Sequence, residues 1–122
     1  MNKSQAIHKF WNQFNIPAYD QYSVPDDAPF PYITYSVALD SLDNVVTLNA
    51  SIWDKSTSWE RISLKAEEIA RVMNNQGYYK IRLDNGYIWL YKGTPFSQRL
   101  SDPDKDIKRM YLTVRAEFLT AY

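Results

Sequence analysis

The sequence predicts an α+β fold: a single domain in which two helices pack on one mixed or antiparallel β-sheet, in the order α-β-β-α-β-β-β. Three observations predict it. Two stretches repeat apolar residues with a helical period, several runs alternate with the period of a strand, and an Asn-Gly pair separates two of those runs. At 122 residues the chain has the length of one domain. A chain this long buries roughly two-thirds of the surface that its unfolded form exposes. No repeat, low-complexity segment or interdomain linker interrupts it.

The first helix is read over Lys3 to Phe14. Ile7, Phe10, Trp11 and Phe14 fall at i, i+3, i+4 and i+7, one stripe of a helix. Ser4 is the expected cap and Pro17 stops any continuation. His8 lies off the stripe and reads as solvated. From Asn15 to Pro31 no period survives, and Pro17, Pro25, Pro29 and Pro31 punctuate the segment. A loop of this length inside a compact domain is functional or loosely held. Asp26 and Asp27 lack a third acid or a histidine nearby, so they read as a turn rather than metal ligands.

Pro29 and Pro31 deliver the chain extended into a first strand, Tyr32 to Leu39, whose two faces are both rather apolar. That pattern suits a central strand. Asp40 to Asn44 supplies turn chemistry, and Val45 to Trp53 forms the second strand. There Val46, Leu48, Ala50 and Ile52 share one face against Thr47, Asn49 and Ser51. The second helix runs within Asp54 to Gln76. Thr57 and Glu60 have capping-box spacing, and Ile62, Ala66, Ile69, Ala70 and Met73 form the stripe. Gly77 ends it as a left-handed cap.

Tyr78 to Leu83 and Tyr87 to Lys92 flank Asp84-Asn85-Gly86, a hairpin signal. Gly93-Thr94-Pro95-Phe96 is expected to break the second of these strands, with a polar loop from Ser97 to Asp106 after it. The last strand is Ile107 to Leu119, in which Met110, Leu112, Val114, Ala116 and Phe118 oppose Tyr111, Thr113, Arg115 and Glu117.

Chemistry is sparse. The 14 basic and 14 acidic residues cancel, so no overall field draws the chain to nucleic acid or an anionic membrane. The absence of cysteine removes disulfides, thiolate metal sites and a thiol nucleophile. The start lacks the apolar segment of a signal peptide, and no run approaches a membrane span. One histidine and three glycines leave no two-histidine metal site and no Gly-rich phosphate loop. Asp102, Asp104 and Asp106 alternate as in a calcium loop but lack its glycine and distal glutamate. Arg99, Lys105, Lys108 and Arg109 sit among acids, a mixed-charge surface rather than a phosphate site. Arg82 with Tyr87, Trp89 and Tyr91 resembles nucleic-acid stacking strands, yet without a basic excess it reads as sheet packing. No catalytic residue, metal or cofactor is expected. An enzyme or ligand-binding domain using Glu60 or Glu117 is the reading from a different class.

Aromatic residues make up 16% of the chain, with ten tyrosines and four tryptophans. A domain this small cannot hide them all, and Tyr and Trp dominate protein contact surfaces. Some are therefore expected to face a partner.

Taken together, the short first helix, the proline loop into Phe30-Pro31-Tyr32-Ile33-Thr34-Tyr35, the hairpin, the helix ending near Met73, the tyrosine-rich hairpin and the long last strand resemble the tail-terminator, or tail-completion, proteins of long-tailed bacteriophages and prophages. The approach from Gly93-Thr94-Pro95-Phe96 to Lys108-Arg109-Met110-Tyr111 is similar as well. The resemblance covers most of the chain through size and layout rather than a fixed motif. It implies a non-enzymatic virion protein, assembled in the bacterial cytoplasm. Identical subunits, often six, would form a ring on the head-proximal end of the tail tube, meeting the tube protein and the head connector, with DNA passing through. Another head–tail joining or head-closure subunit is the neighbouring reading. A ring needs two different patches that meet on neighbouring copies. The candidates are the loop from Tyr19 to Phe30, with Tyr22, and the loop from Phe96 to Asp106, with Gln98 and Arg99. Trp53 and Trp59 form a third, which reads equally as a helix-to-sheet core contact.

Overall fold

The computed structural model describes residues 1–37, 45–73 and 77–120, without the side chains of Val45 and Thr120. The expected turn from Asp40 to Asn44 and the last residues of the first predicted strand lie outside the described residues. The elements are α1 (Lys3–Trp11), β1 (Ala18–Asp20), β2 (Tyr32–Tyr35), β3 (Val45–Thr47), β4 (Ala50–Lys55), α2 (Glu60–Met73), β5 (Tyr79–Leu83), β6 (Gly86–Leu100) and β7 (Ile107–Thr120). The α+β class and the mixed sheet stand as expected.

Across the sheet the order is β1-β2-β4-β7-β6-β5, with β3 also on β7. Only β1 and β2 run parallel among these pairs; the others are antiparallel. β3 and β4 are one strand in register, because Thr47 faces Arg115 and Ala50 faces Leu112 on the same diagonal. This matches the predicted run from Val45, extended to Lys55. β2 lies between β1 and β4, the interior position its apolar faces implied.

Both helices cover the same face. α1 buries Ala6, Ile7, Phe10 and Trp11, and Phe14 follows it into the core. α2 buries Ile62, Ala66, Ile69 and Met73. Beneath them lie Ile33, Ile52, Leu112, Val114 and Ile88, all essentially inaccessible. Each such side chain contributes about 1.5–3 kcal/mol. The Lys65 ammonium donates to the Phe14 carbonyl at 2.7 Å and ties α2 to the segment after α1.

Four local expectations need correction. The cap of α1 is Asn2, not Ser4: its side chain accepts the Gln5 N–H at 2.9 Å while Gln5 accepts that of Asn2 at 3.0 Å. The reciprocal pair starts the helix at Lys3 and leaves Ser4 inside the first turn. At α2 it is Ser58, not Thr57, whose hydroxyl accepts the Glu60 N–H, at 3.1 Å. Strand β1 falls within a segment expected to be loop. Three residues cannot display a period, and a side chain from α1 holds them: the Asn12 amide accepts from the Ala18 N–H and donates to its carbonyl, at 3.1 and 3.2 Å.

The fourth correction is β6. It was expected to end at Lys92, with a loop from Ser97, yet it runs on to Leu100. Its register on β7 moves from Lys92 opposite Val114 to Ser97 opposite Leu112, so Gly93 to Phe96 face Thr113 alone. A bulge of this kind absorbs a proline, since no ladder bond is needed there. The hairpin before it closes with Leu83 opposite Gly86, so Asp84 and Asn85 make the turn and Gly86, at φ 153°, begins the strand. Gly77, at φ 84°, is left-handed as expected.

Candidate functional site

Strand alternation sends every second side chain to the face that no helix covers. On β2, β4 and β7 these are Tyr32 and Thr34, Ser51 and Trp53, and Arg109, Tyr111, Arg115 and Glu117, by their register. Three of these eight are aromatic, and Tyr19, Phe30, Trp89 and Tyr91 adjoin them. At its β1 end Tyr32 is flanked by Tyr19, with ring centroids 5.9 Å apart, and by Phe30 at 5.2 Å. Trp53 lies directly across from Tyr32 and donates its indole N–H to Thr34 at 2.9 Å. The Arg109 guanidinium sits 4.7 Å from the Trp53 ring and 5.6 Å from that of Tyr111, and donates to Ser51 at 3.0 Å.

Further along, Tyr78 stacks on Trp89 at 4.8 Å and Tyr91 donates to Glu117 at 3.1 Å. Burial, with a smaller contribution from Tyr19, pushes the Tyr32 phenol above its ordinary value. Burial and then the bond to Glu117 do the same for Tyr91. Both hydroxyls therefore stay protonated in neutral solution. A cation over an exposed ring contributes only about 0.5–1 kcal/mol, well below the burial of a core side chain. Stability thus rests on the helix-covered face, and the aromatic face is held in place without carrying the fold.

A second cluster lies on the helix side, at the start of α2. Arg99 and Lys108 both approach the Trp59 ring, at 5.0 and 5.9 Å. Beside it the fully buried Asp54 carboxylate accepts both arms of Arg61, one at 3.0 Å. That bond pushes the guanidinium further up from its ordinary value.

The sequence-selected residues therefore divide between surfaces. Tyr19, Phe30 and Trp53 gather around Tyr32 on the helix-free face. Gln98 joins the same face, opposite Tyr111. Trp59 and Arg99 meet on the other side of the sheet. Trp53 and Trp59 are thus on opposite faces, and only Trp59 packs against the core. Phe96 is half-buried against the core, while Tyr22 stands 88% exposed beyond β1. Tyr32, Arg109 and Tyr111 were not among the expected interface residues, and Arg109 was read only as part of a mixed-charge surface. Their signal was present in the alternation of β2 and β7, but the register that sets them beside Trp53 was not.

His8 is exposed, as its off-stripe position implied, though its Nδ1 lies 2.6 Å from the Tyr35 hydroxyl. Asp102 and Asp104 accept the backbone N–H groups of Asp104 and Asp106 at 3.0 and 2.9 Å, ordinary turn bonds. Glu60 and Glu117 lie on different elements, and Glu117 is engaged by Tyr91. Among the described residues no group of three His, Asp or Glu side chains is placed to hold a metal, and no helix is long and apolar enough to cross a membrane.

No protein-family model matches the sequence. No curated protein matches it either. Among solved structures the chain is similar to a chain in the virion of a native gene transfer agent particle. The TM-score is 0.63 at 17% identity, over 84% of this chain and 78% of that one. At that identity the likeness is one of fold.

Proposed function

We propose that the protein is a structural component of a phage-like virion, and within it the tail terminator, a ring of identical subunits that caps the tail tube and meets the head. The observation that carries this reading is the fold shared with a chain of the gene transfer agent virion, over most of both chains. The aromatic, helix-free face supports it, because a ring subunit needs large contact surfaces that the fold itself does not consume. In this reading Tyr19, Tyr22, Phe30, Trp53 and Gln98 serve one interface, and Trp59, Phe96 and Arg99 another. No cofactor enters, and the location is the head–tail junction.

Electron microscopy of particles made without the protein tests the role. Tails of uncontrolled length are expected. Tails of normal, uniform length with detached heads would instead assign it to head–tail joining, and normal joined particles would remove it from assembly altogether.

Tyr22 gives a test at the level of one residue. At 88% exposure Tyr22→Ala changes stability by no more than about 0.5 kcal/mol. Its incorporation into particles, measured by competition with the unaltered protein, should nevertheless fall. Equal incorporation would remove Tyr22 from the interface.

A further inference from the structure

The sheet has two edges, and they are not alike. At β1 the outward backbone groups of Ala18 are both taken by the Asn12 amide, and the Asp20 carbonyl accepts the Ser23 N–H at 2.8 Å. Of that edge only the Asp20 N–H is left without a partner among the described residues. At the other end β5 covers only Gly86 to Leu90 of β6. The stretch from Ser97 to Leu100 runs beyond it, with β7 on one side and no strand on the other among the described residues.

The alternation of β7 shows where the backbone of that stretch points. Leu48 lies opposite Val114 in the continuous register of β3 and β4, and its N–H donates to the Val114 carbonyl at 2.7 Å. Even-numbered residues of β7 near that pair therefore bond toward β3 and β4, and odd-numbered ones toward β6. Gln98 and Leu100, opposite Tyr111 and Arg109, bond to β7. Ser97 and Arg99 then direct both N–H and C=O away from the sheet. Their residues are exposed, and no described group bonds to them.

Against this edge lies a groove of about 290 Å³ between β6 and α2, walled by Ser63, Ala66 and Ala70 on the helix and by Phe96 and Arg99 on the strand. Small residues keep the helix wall low. At one end Arg99 and Lys108 share the Trp59 ring, while the helix wall carries a single acid, Glu67.

We propose that this edge accepts an extended, acidic segment of a different protein chain as an additional antiparallel strand, by backbone bonds to Ser97 and Arg99. Alternate side chains of the segment would face the helix side, apolar ones entering the groove and acidic ones meeting Arg99 and Lys108 at its end. A second copy of this chain is a poor occupant. Its β1 edge offers only the Asp20 N–H, its β5 edge would set Lys80 and Arg82 against Arg99, and pairing two β6 edges about a two-fold axis brings like-charged Arg99 residues together. The inference rests on the edge geometry and not on the tail-terminator role, so the two fail separately.

The test uses the full chain and two synthetic decapeptides in which threonines alternate with the groove-facing positions, these being two glutamates followed by three valines in one peptide and two lysines followed by three valines in the other. Amide hydrogen exchange and chemical shifts are followed by NMR. The glutamate peptide should protect the Ser97 and Arg99 amides and bind about tenfold tighter than the lysine peptide. Ser97→Pro removes an edge donor but no bond to β7, and should weaken binding by about tenfold. Ala70→Leu fills the groove and should do the same, which covers the case in which the proline variant fails to fold. Absence of protection at Ser97 and Arg99, equal binding of the two peptides, or unchanged binding by both variants would overturn the proposal. So would a dimer of the unliganded protein that Ser97→Pro dissociates.

Discussion

Phe10→Ala lowers the free energy of unfolding by about 3–5 kcal/mol, the range for removing a large aromatic side chain from a packed core. Phe10 is only 2% exposed. Its ring meets those of Trp11, Phe14 and Tyr79 edge-on or steeply inclined, at 4.9, 5.5 and 5.0 Å. Those contacts join α1 to the segment after it and to β5, which among the described residues has β6 as its one strand partner. Urea unfolding followed by tryptophan fluorescence measures it as a shift in midpoint at constant slope. A loss below about 1 kcal/mol would mean that α1 is not anchored as described. For a domain of this size, a loss in the expected range is a large share of the total stability.

Gly93→Ala is the second large effect, and it arises from backbone proximity rather than from a cavity. A Cβ at Gly93 would stand 2.5 Å from Thr113 Cγ2, 2.9 Å from its Cβ and 3.0 Å from its carbonyl oxygen. None of these is the loose end of a long side chain. Either β6 moves away from β7 at the bulge or Thr113 is displaced, at a cost of about 1–3 kcal/mol. Thr113→Gly removes two of the three obstructing atoms, so Gly93→Ala should cost less in the Thr113→Gly background than in the unaltered protein. Additive losses in that double-mutant comparison would show that the close approach is not the cause. Because the bulge sets the register of Ser97 to Leu100, Gly93→Ala should also disturb the amide signals of that edge.

The α+β class, both helices and the five longer strands were legible in the sequence, because each of them repeats a pattern over enough residues to be recognised. Ile7, Phe10, Trp11 and Phe14 can share a face only on a helix, and Val46, Leu48, Ala50 and Ile52 only on a strand. β1 was not legible. Three residues have no period, and they are a strand because Asn12 and β2 satisfy their backbone from either side.

The candidate surface shows the same division. Composition required that some aromatic rings lie outside the core, and in the loop from Tyr19 to Phe30 Tyr22 is 88% exposed. Composition did not pair Trp53 with Tyr32 and Arg109, nor separate Trp53 from Trp59. Those relations depend on register, which brings together residues more than fifty positions apart in the chain. The continuation of β6 past Gly93 and Pro95 is of the same kind. Locally these residues break a strand. The long β7 beside them offers a ladder on both sides of the interruption, and four residues bulge against Thr113 so that pairing resumes at Ser97. Local sequence thus determined the elements and the composition of their faces. Pairing between distant strands, where the gain from a resumed ladder exceeds the cost of a local bulge, decided which faces meet and which edge stays open.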